Sequence, residues 1–272
     1  MSLRVHHLNC GTMCPHGGKL IGTPGGRFGP GRMVCHCLLI ETPAGLVLVD
    51  SGIGAADIAD PVRLGRPFVT VVRPRLDPQE TAIAQIQALG FDAADVRHIV
   101  VTHLDLDHAG GIPDFPDAQV HVHAREHAAA MKPSRRERER YRRPHFAHKP
   151  NWVLHQEDGE RWFDFDAVRA LPGGGDDVLL IPLHGHTRGH CGVAVRTGDG
   201  WLLHCGDAYF HHGEMLMPPE CPSGLKLFQN IVQVERAARV RNQQRLRELA
   251  TAKAGEVRLI SAHDPAELER CQ

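Results

Sequence analysis

No stretch of the 272-residue chain approaches the roughly 18 consecutive apolar residues that a membrane-spanning helix needs, so a membrane is not an expected partner. Charge of one sign is equally scarce. The 31 Lys and Arg against 32 Asp and Glu leave a net charge of −1, which offers no field to attract nucleic acid or an anionic surface. The start, Met1-Ser2-Leu3-Arg4-Val5-His6-His7, has none of the apolar core of a signal peptide. The 8 cysteines therefore read as reduced thiols of a cytoplasmic protein rather than as a disulfide framework. No repeat of solenoid period is present. The length suits a large single core and by itself allows one or two domains; the expectation is one domain over 1–272.

What the chain has in excess is histidine, 20 residues, and the densest metal-binding chemistry lies in Thr102-His103-Leu104-Asp105-Leu106-Asp107-His108-Ala109-Gly110-Gly111. The apolar Ile99-Val100-Val101 before it reads as a buried strand. A strand that ends in a tight loop can aim four such side chains at one point, which is what a divalent ion requires. Ala109-Gly110-Gly111 lets the backbone turn closely beneath them. On its own the stretch also fits a polar turn in a histidine-rich chain.

It resembles the His-x-His-x-Asp-His signature of the metallo-β-lactamase superfamily, and further elements of that pattern recur in order. Leu46-Val47-Leu48-Val49-Asp50-Ser51-Gly52 looks like the early strand and Asp. Gly185-His186-Thr187-Arg188-Gly189-His190 resembles the Gly-His-Thr-x-Gly-His turn. Cys205-Gly206-Asp207 is similar to the bridging-aspartate motif, and Ser261-Ala262-His263 to the last histidine. The resemblance implies an α/β fold, an αββα four-layer sandwich of two facing mixed β-sheets with outer helices. It also implies two divalent metal ions, zinc first: one held by His103, Asp105 and His186, the other by Asp107, His108 and His263, with Asp207 bridging. Asp105 is a departure, because the family has its second histidine there. A carboxylate makes that position harder and more anionic, which favours iron or manganese relative to an all-histidine site. It also makes a bound water less acidic. The family's flavodiiron branch has a glutamate at this position. A hydrogen-bonded Asp105 beside a weak or empty first position is the other reading.

The remaining segments give local expectations. A strand over 3–9 is followed by a loop at 10–33, dense in Gly and Pro, which either folds over the site with Met13, His16 and Phe28 as contacts or wraps the surface. Cys35-His36-Cys37 puts two thiols on one strand face, a buried apolar pair in preference to a metal or redox site. Asp50, ending a buried strand, needs partners, and in the resembling family it supports the ligands from behind. Residues 78–89 show helical spacing. Gln119 to His123 alternates as a strand, with His121 and His123 on one face, as ordinary strand histidines in preference to ligands. Mixed charges from Lys132 to Arg143 read as a solvated helix face in preference to a basic patch for an anionic substrate or nucleic acid. An insertion at about 131–170 collects aromatics that supply substrate-pocket walls, or else a satellite core or homodimer contact. His184 stands where the family often has proline. Tyr209, just past Asp207, is a candidate to polarise a substrate carbonyl, as a tyrosine does in lactonases of the superfamily.

The activity implied is hydrolysis of an ester-like bond in a small molecule, with a hydroxide shared by the two cations as nucleophile and Asp107 as proton shuttle. A lactone of the acyl-homoserine-lactone kind is the first substrate class, and a thioester of the glyoxalase II kind the second. An iron-dependent redox reaction is the rival from another class, and a non-catalytic binding module with a degenerate site is the third.

Overall fold

The computed structural model describes residues 3–24, 26–157, 160–169 and 177–272; parts of the loop at 10–33 and of the 131–170 insertion lie outside these. Among the described residues twelve strands form two six-stranded sheets. The first contains β1 (Arg4–Met13), β2 (Met33–Thr42), β3 (Gly45–Val49), β4 (Val96–Val100), β5 (Gln119–His123) and β6 (Asn151–His155) in that order. The second contains β7 (Glu160–Trp162), β8 (Phe165–Arg169), β9 (Val178–Pro182), β10 (Cys191–Thr197), β11 (Gly200–His204) and β12 (Val257–Ile260), ordered from β12 back to β7. Each sheet is mixed: β1 to β3 pair antiparallel and β3 to β6 parallel, while β12 joins an otherwise antiparallel sheet parallel to β11.

Parallel neighbours need crossovers, and helices supply them. The helices are α1 (Ala55–Ala59), α2 (Arg66–Val71), α3 (Ala82–Ala88), α4 (Leu106–Ala109), α5 (Ala124–Met131), α6 (Ser223–Val232), α7 (Arg236–Ala252) and α8 (Pro265–Glu269). Strand alternation then sorts the apolar residues into three layers. Leu38, Ile40, Val47, Val49 and Val100 of the first sheet meet Leu180, Val193 and Val195 of the second, between the sheets. Leu39, Leu48, Ile99, Val120 and Val122 pack outward with Ile86, Ala129 and Ala130. On the far side Leu179, Ile181, Ala194 and Leu203 pack with Leu246 and Leu249 of α7. Three apolar layers between four structural layers make the αββα sandwich. Among the described residues no helix is long and apolar enough to cross a membrane.

Several local expectations change. The first strand runs on to Met13, paired with Met33, so the loop starts later and carries a short 3-10 turn at Gly18–Ile21. Met13 is buried in the core, His16 contacts Arg73, and Phe28 is 88% exposed; none of the three lines the cleft described below. Residues 132–143 are turns rather than a helix, bounded by Pro133 and Pro144, and their charges are not all solvated. Glu137 is buried and receives Arg188, and Arg140 turns inward. The insertion's aromatics are not cleft walls either: Phe146 and Trp152 pack on the outer face of the first sheet, and Trp162 and Phe165 on that of the second. They belong to the two outer apolar layers.

Candidate metal centre

Strands β3, β4, β9, β11 and β12 all end at the same edge of the sandwich, and the segments leaving them carry Asp50, residues 102–108, His186, Asp207 and His263. Two glycines shape these exits. Gly206 has φ +52°, and a Cβ there would lie 2.6 Å from His190 Nε2. Gly185 has φ +140°, and a Cβ would meet the Arg239 backbone nitrogen at 2.3 Å. Only glycine lets these turns approach so closely. The Asp207 N–H donates to His190 Nε2 at 2.9 Å, and His190 Nδ1 donates to the Leu183 carbonyl, so His190 is an orienting residue.

The hydrogen bonds fix which imidazole nitrogens are free. His108 Nδ1 donates to Asp50 Oδ2 at 2.8 Å. His263 Nδ1 donates to the Val34 carbonyl at 2.7 Å. Thr102 Oγ1 gives its proton to Asp50 Oδ2 and accepts from His103 Nδ1 at 2.9 Å. In each ring Nε2 is left with its lone pair, and all three point toward Asp207. Its Oδ1 lies 3.1 Å from His108 Nε2 and 3.0 Å from His263 Nε2. Its Oδ2 lies 3.3 Å from His186 Nε2 and 3.9 Å from His103 Nε2. Asp107 Oδ2 is 3.7 Å from His263 Nε2. Asp105 Oδ2 is 3.1 Å from His186 Nε2 and 3.5 Å from His103 Nε2.

These atoms fit a pair of divalent cations. Lone pairs facing a carboxylate at such distances repel unless a cation or extra protons lie between them. His103 Nε2, Asp105 Oδ1 and Asp207 Oδ1 are buried with no hydrogen-bond partner, which is what coordination would satisfy. Separations near 3.1–3.9 Å are close to the edge of a tetrahedron with bonds of about 2.0–2.2 Å. Electrostatics agree. Burial alone would raise the Asp207 pKa, but His263, His108 and His186 hold it well below the carboxylate range. Burial opposes protonation of His108, yet Asp207 and Asp50 outweigh it and push its pKa well up; His263 is raised mainly by Asp207 against the same burial.

The sequence gives little warning of the other residues found here. Arg140 Nη2 donates to Asp105 Oδ2 at 2.7 Å and lies 3.0 Å from His186 Nε2. Burial raises and Arg140 lowers the Asp105 carboxyl, and the net shift is well below its usual range. An aspartate replacing a histidine adds a charge that asks for a counter-cation, and that was the one available signal for Arg140. Glu126, fully buried on α5, accepts from Leu104 N and Tyr141 through Oε1, and from Thr187 and Gly189 N through Oε2. It ties the 103–108 loop to the turn carrying His186, and nothing in its own segment marks it. Cys35, expected as an apolar core thiol, is buried as such and also has its Sγ within 4.8 Å of Asp107 and His263 donor atoms.

Tyr209 corrects an expectation. It is fully buried, and its hydroxyl donates to Glu267 at 3.1 Å, while its ring packs in the outer core of the second sheet. The ring that reaches the centre is that of the next residue, Phe210, stacked on His263 at 5.2 Å and 6.0 Å from His186. Phe210 and His263 line a cleft of about 350 Å³ with Ile21, Met33, Leu225 and the polar His211, His212 and Asp264. The segment after β1 thus contributes Ile21, Arg32 and Met33 to its wall.

The metallo-beta-lactamase superfamily family model matches residues 30–249. The protein called probable metallo-hydrolase Rv2300c, of Mycobacterium tuberculosis (strain ATCC 25618 / H37Rv), is 45% identical over 264 residues, covering 97% of this chain and 81% of that one. The N-acyl homoserine lactonase AttM of Azorhizobium caulinodans is 31% identical over 233 residues, covering 84% of this chain and 80% of its own. Among solved structures, an N-acyl homoserine lactone hydrolase with the product N-hexanoyl-L-homoserine bound at its catalytic metal center superposes with a TM-score of 0.75 at 20% identity, covering 100% of this chain and 98% of that one.

Proposed function

The chain belongs to the metallo-beta-lactamase superfamily, and from that premise we propose that it is a metal-dependent hydrolase of ester-like bonds in small molecules, with a lactone as first substrate class. The observation that carries the reading is the Asp207 carboxylate set between two groups of imidazoles whose Nε2 atoms all face it. His103, Asp105 and His186 would hold one divalent cation, and Asp107, His108 and His263 the other, zinc first, with Asp207 shared. When bound, such a pair supplies a water acidic enough to attack at neutral pH and an electrophilic partner for the carbonyl oxygen.

The chain's own residues do the rest. Asp50 and the Val34 carbonyl fix the rotation of His108 and His263. The Asp107 carboxylate, partly exposed and 3.7 Å from His263 Nε2, can pass a proton to the leaving alkoxide as well as hold a cation. Arg140 places a fixed positive charge beside Asp105. Ile21, Met33, Phe210 and Leu225 give an apolar wall suited to an acyl substituent, and Phe210 brings no hydroxyl to the carbonyl. The AttM and product-bound lactonase likenesses point the same way.

Metal-loaded protein of known content, assayed on lactones, thioesters, phosphoesters and β-lactams, tests the proposal. Fastest turnover on an N-acyl lactone is expected; a clear preference for phosphoesters would overturn the substrate class. Asp105 favours one further reading, an iron-dependent redox enzyme, since a carboxylate suits a harder ion. Visible iron absorption with oxygen-dependent turnover would select it.

A further inference from the structure

Away from the centre, three chemically matched side chains converge from separate elements. His123 ends β5, Glu157 follows β6, and His184 lies just after β9. Glu157 Oε2 is 3.3 Å from His123 Nε2, and Glu157 Oε1 is 3.1 Å from His184 Nε2. The two rings meet edge to face, with centroids 4.9 Å apart, and the three donor atoms lie within 4.8 Å of one another. His184 Nδ1 donates to the His190 carbonyl at 3.1 Å, so a neutral His184 turns a lone pair toward the carboxylate.

His123 is 2% exposed, and its Nε2 is buried without a hydrogen-bond partner. Its Nδ1 accepts the Arg125 N–H at 3.2 Å, which puts the proton of a neutral ring on Nε2, where no acceptor lies in line. Moving the proton to Nδ1 would set it against the Arg125 N–H instead. Either tautomer leaves one nitrogen unsatisfied. A cation on Nε2 satisfies that buried nitrogen and moves the conflict to Nδ1–H and the Arg125 N–H, at the first turn of α5 where residue 125 is exposed to water.

We propose that His123, Glu157 and His184 form a further divalent-cation site, separate from the Asp207 centre. Two imidazoles and one carboxylate, with a position left for water, suit zinc, nickel or copper(II) and disfavour magnesium or calcium. The Glu157 side chain is 41% exposed, which gives the ion its path from solvent. A cation here would staple the residues before His186 to the ends of β5 and β6.

The test is a zinc titration of full-length protein against a chromophoric chelator, comparing wild type with Glu157→Gln and His123→Gln. Loss of one equivalent, or at least a tenfold weakening of one binding step, is expected in both variants, with the steps assigned to the Asp207 centre retained. Glu157→Gln, changing an exposed group, keeps the test valid if His123→Gln does not fold. Identical isotherms for wild type and Glu157→Gln would overturn the site, leaving a histidine–carboxylate pair. The outcome is independent of the proposed hydrolysis: repeating the titration in Asp207→Ala separates failure of the main centre from failure of this site. There a zinc-dependent rise in melting temperature that Glu157→Gln abolishes is expected.

Discussion

The two halves of the candidate centre share one carboxylate and differ in what surrounds it. On the Oδ1 side of Asp207, His108 and His263 have their remote nitrogens bonded to Asp50 and the Val34 carbonyl, and the neighbouring carboxylates push both imidazoles toward the charged form despite burial. That half asks for positive charge and has none of its own. On the Oδ2 side, Arg140 already supplies a guanidinium to Asp105 and stands beside His186, whose pKa is lowered by burial with Arg140 adding to the effect. One half is prepared for a cation; the other would bind one in competition with a side chain. Replacing a histidine by Asp105 thus changed the site twice, once by its own charge and once by the arginine that charge holds.

Breaking the shared element has the largest expected effect. Asp207→Ala should release the cations of both halves and lower hydrolysis on the best substrate by on the order of 10³-fold or more, checked by metal analysis and steady-state kinetics. Asp107→Ala should cost roughly 10²–10⁴-fold in kcat, and full retained activity would remove its assigned role. Asp50→Asn sharpens the contrast: cation affinity should fall about 10–100-fold on the His108 side, since the ring loses its orienting carboxylate. Arg140→Gln should act oppositely on the other side, tightening cation binding there by about tenfold, because Asp105 no longer has a resident partner. Weaker binding in that variant would show that the guanidinium supports the site instead of competing for it.

Glu267 gives the smallest effect on the centre and tests its surroundings. Burial pushes its carboxyl up to about 7 from an ordinary 4.5. The folded chain then binds more protons than the unfolded one between those values, so this group makes stability fall as pH rises from about 4.5 to about 7. Glu267→Gln should flatten that part of the Tm–pH curve, by at most roughly 3 kcal/mol. An unchanged slope would rule the group out.

The resemblance implied the layers, while apolar runs gave the single strands: Leu38-Leu39-Ile40 buries both faces, so it reads as a central strand without saying which layer lies on which side. The resemblance of short motifs near strand ends to the family pattern picked out Asp50, the 103–108 loop, His186, Asp207 and His263. What stayed hidden depends on distance in sequence. Arg140 lies in a charge run that reads as solvent-facing, and only its contact with Asp105, 35 residues away, shows otherwise. Tyr209 and Phe210 are adjacent, so sequence cannot say which ring faces the ligands; the 3-10 turn at Gly206–Ala208 decides it for Phe210. The chain from Ser223 to Val232, helical in the structure, carried no expectation at all.

The most direct test of two cations around Asp207 is an anomalous difference map of zinc-loaded crystals at the zinc edge. The account predicts a peak on each side of the Asp207 carboxylate, the stronger between His108 and His263 and the weaker, in competition with Arg140, among His103, Asp105 and His186. No peak on either side, at full zinc loading, would contradict it.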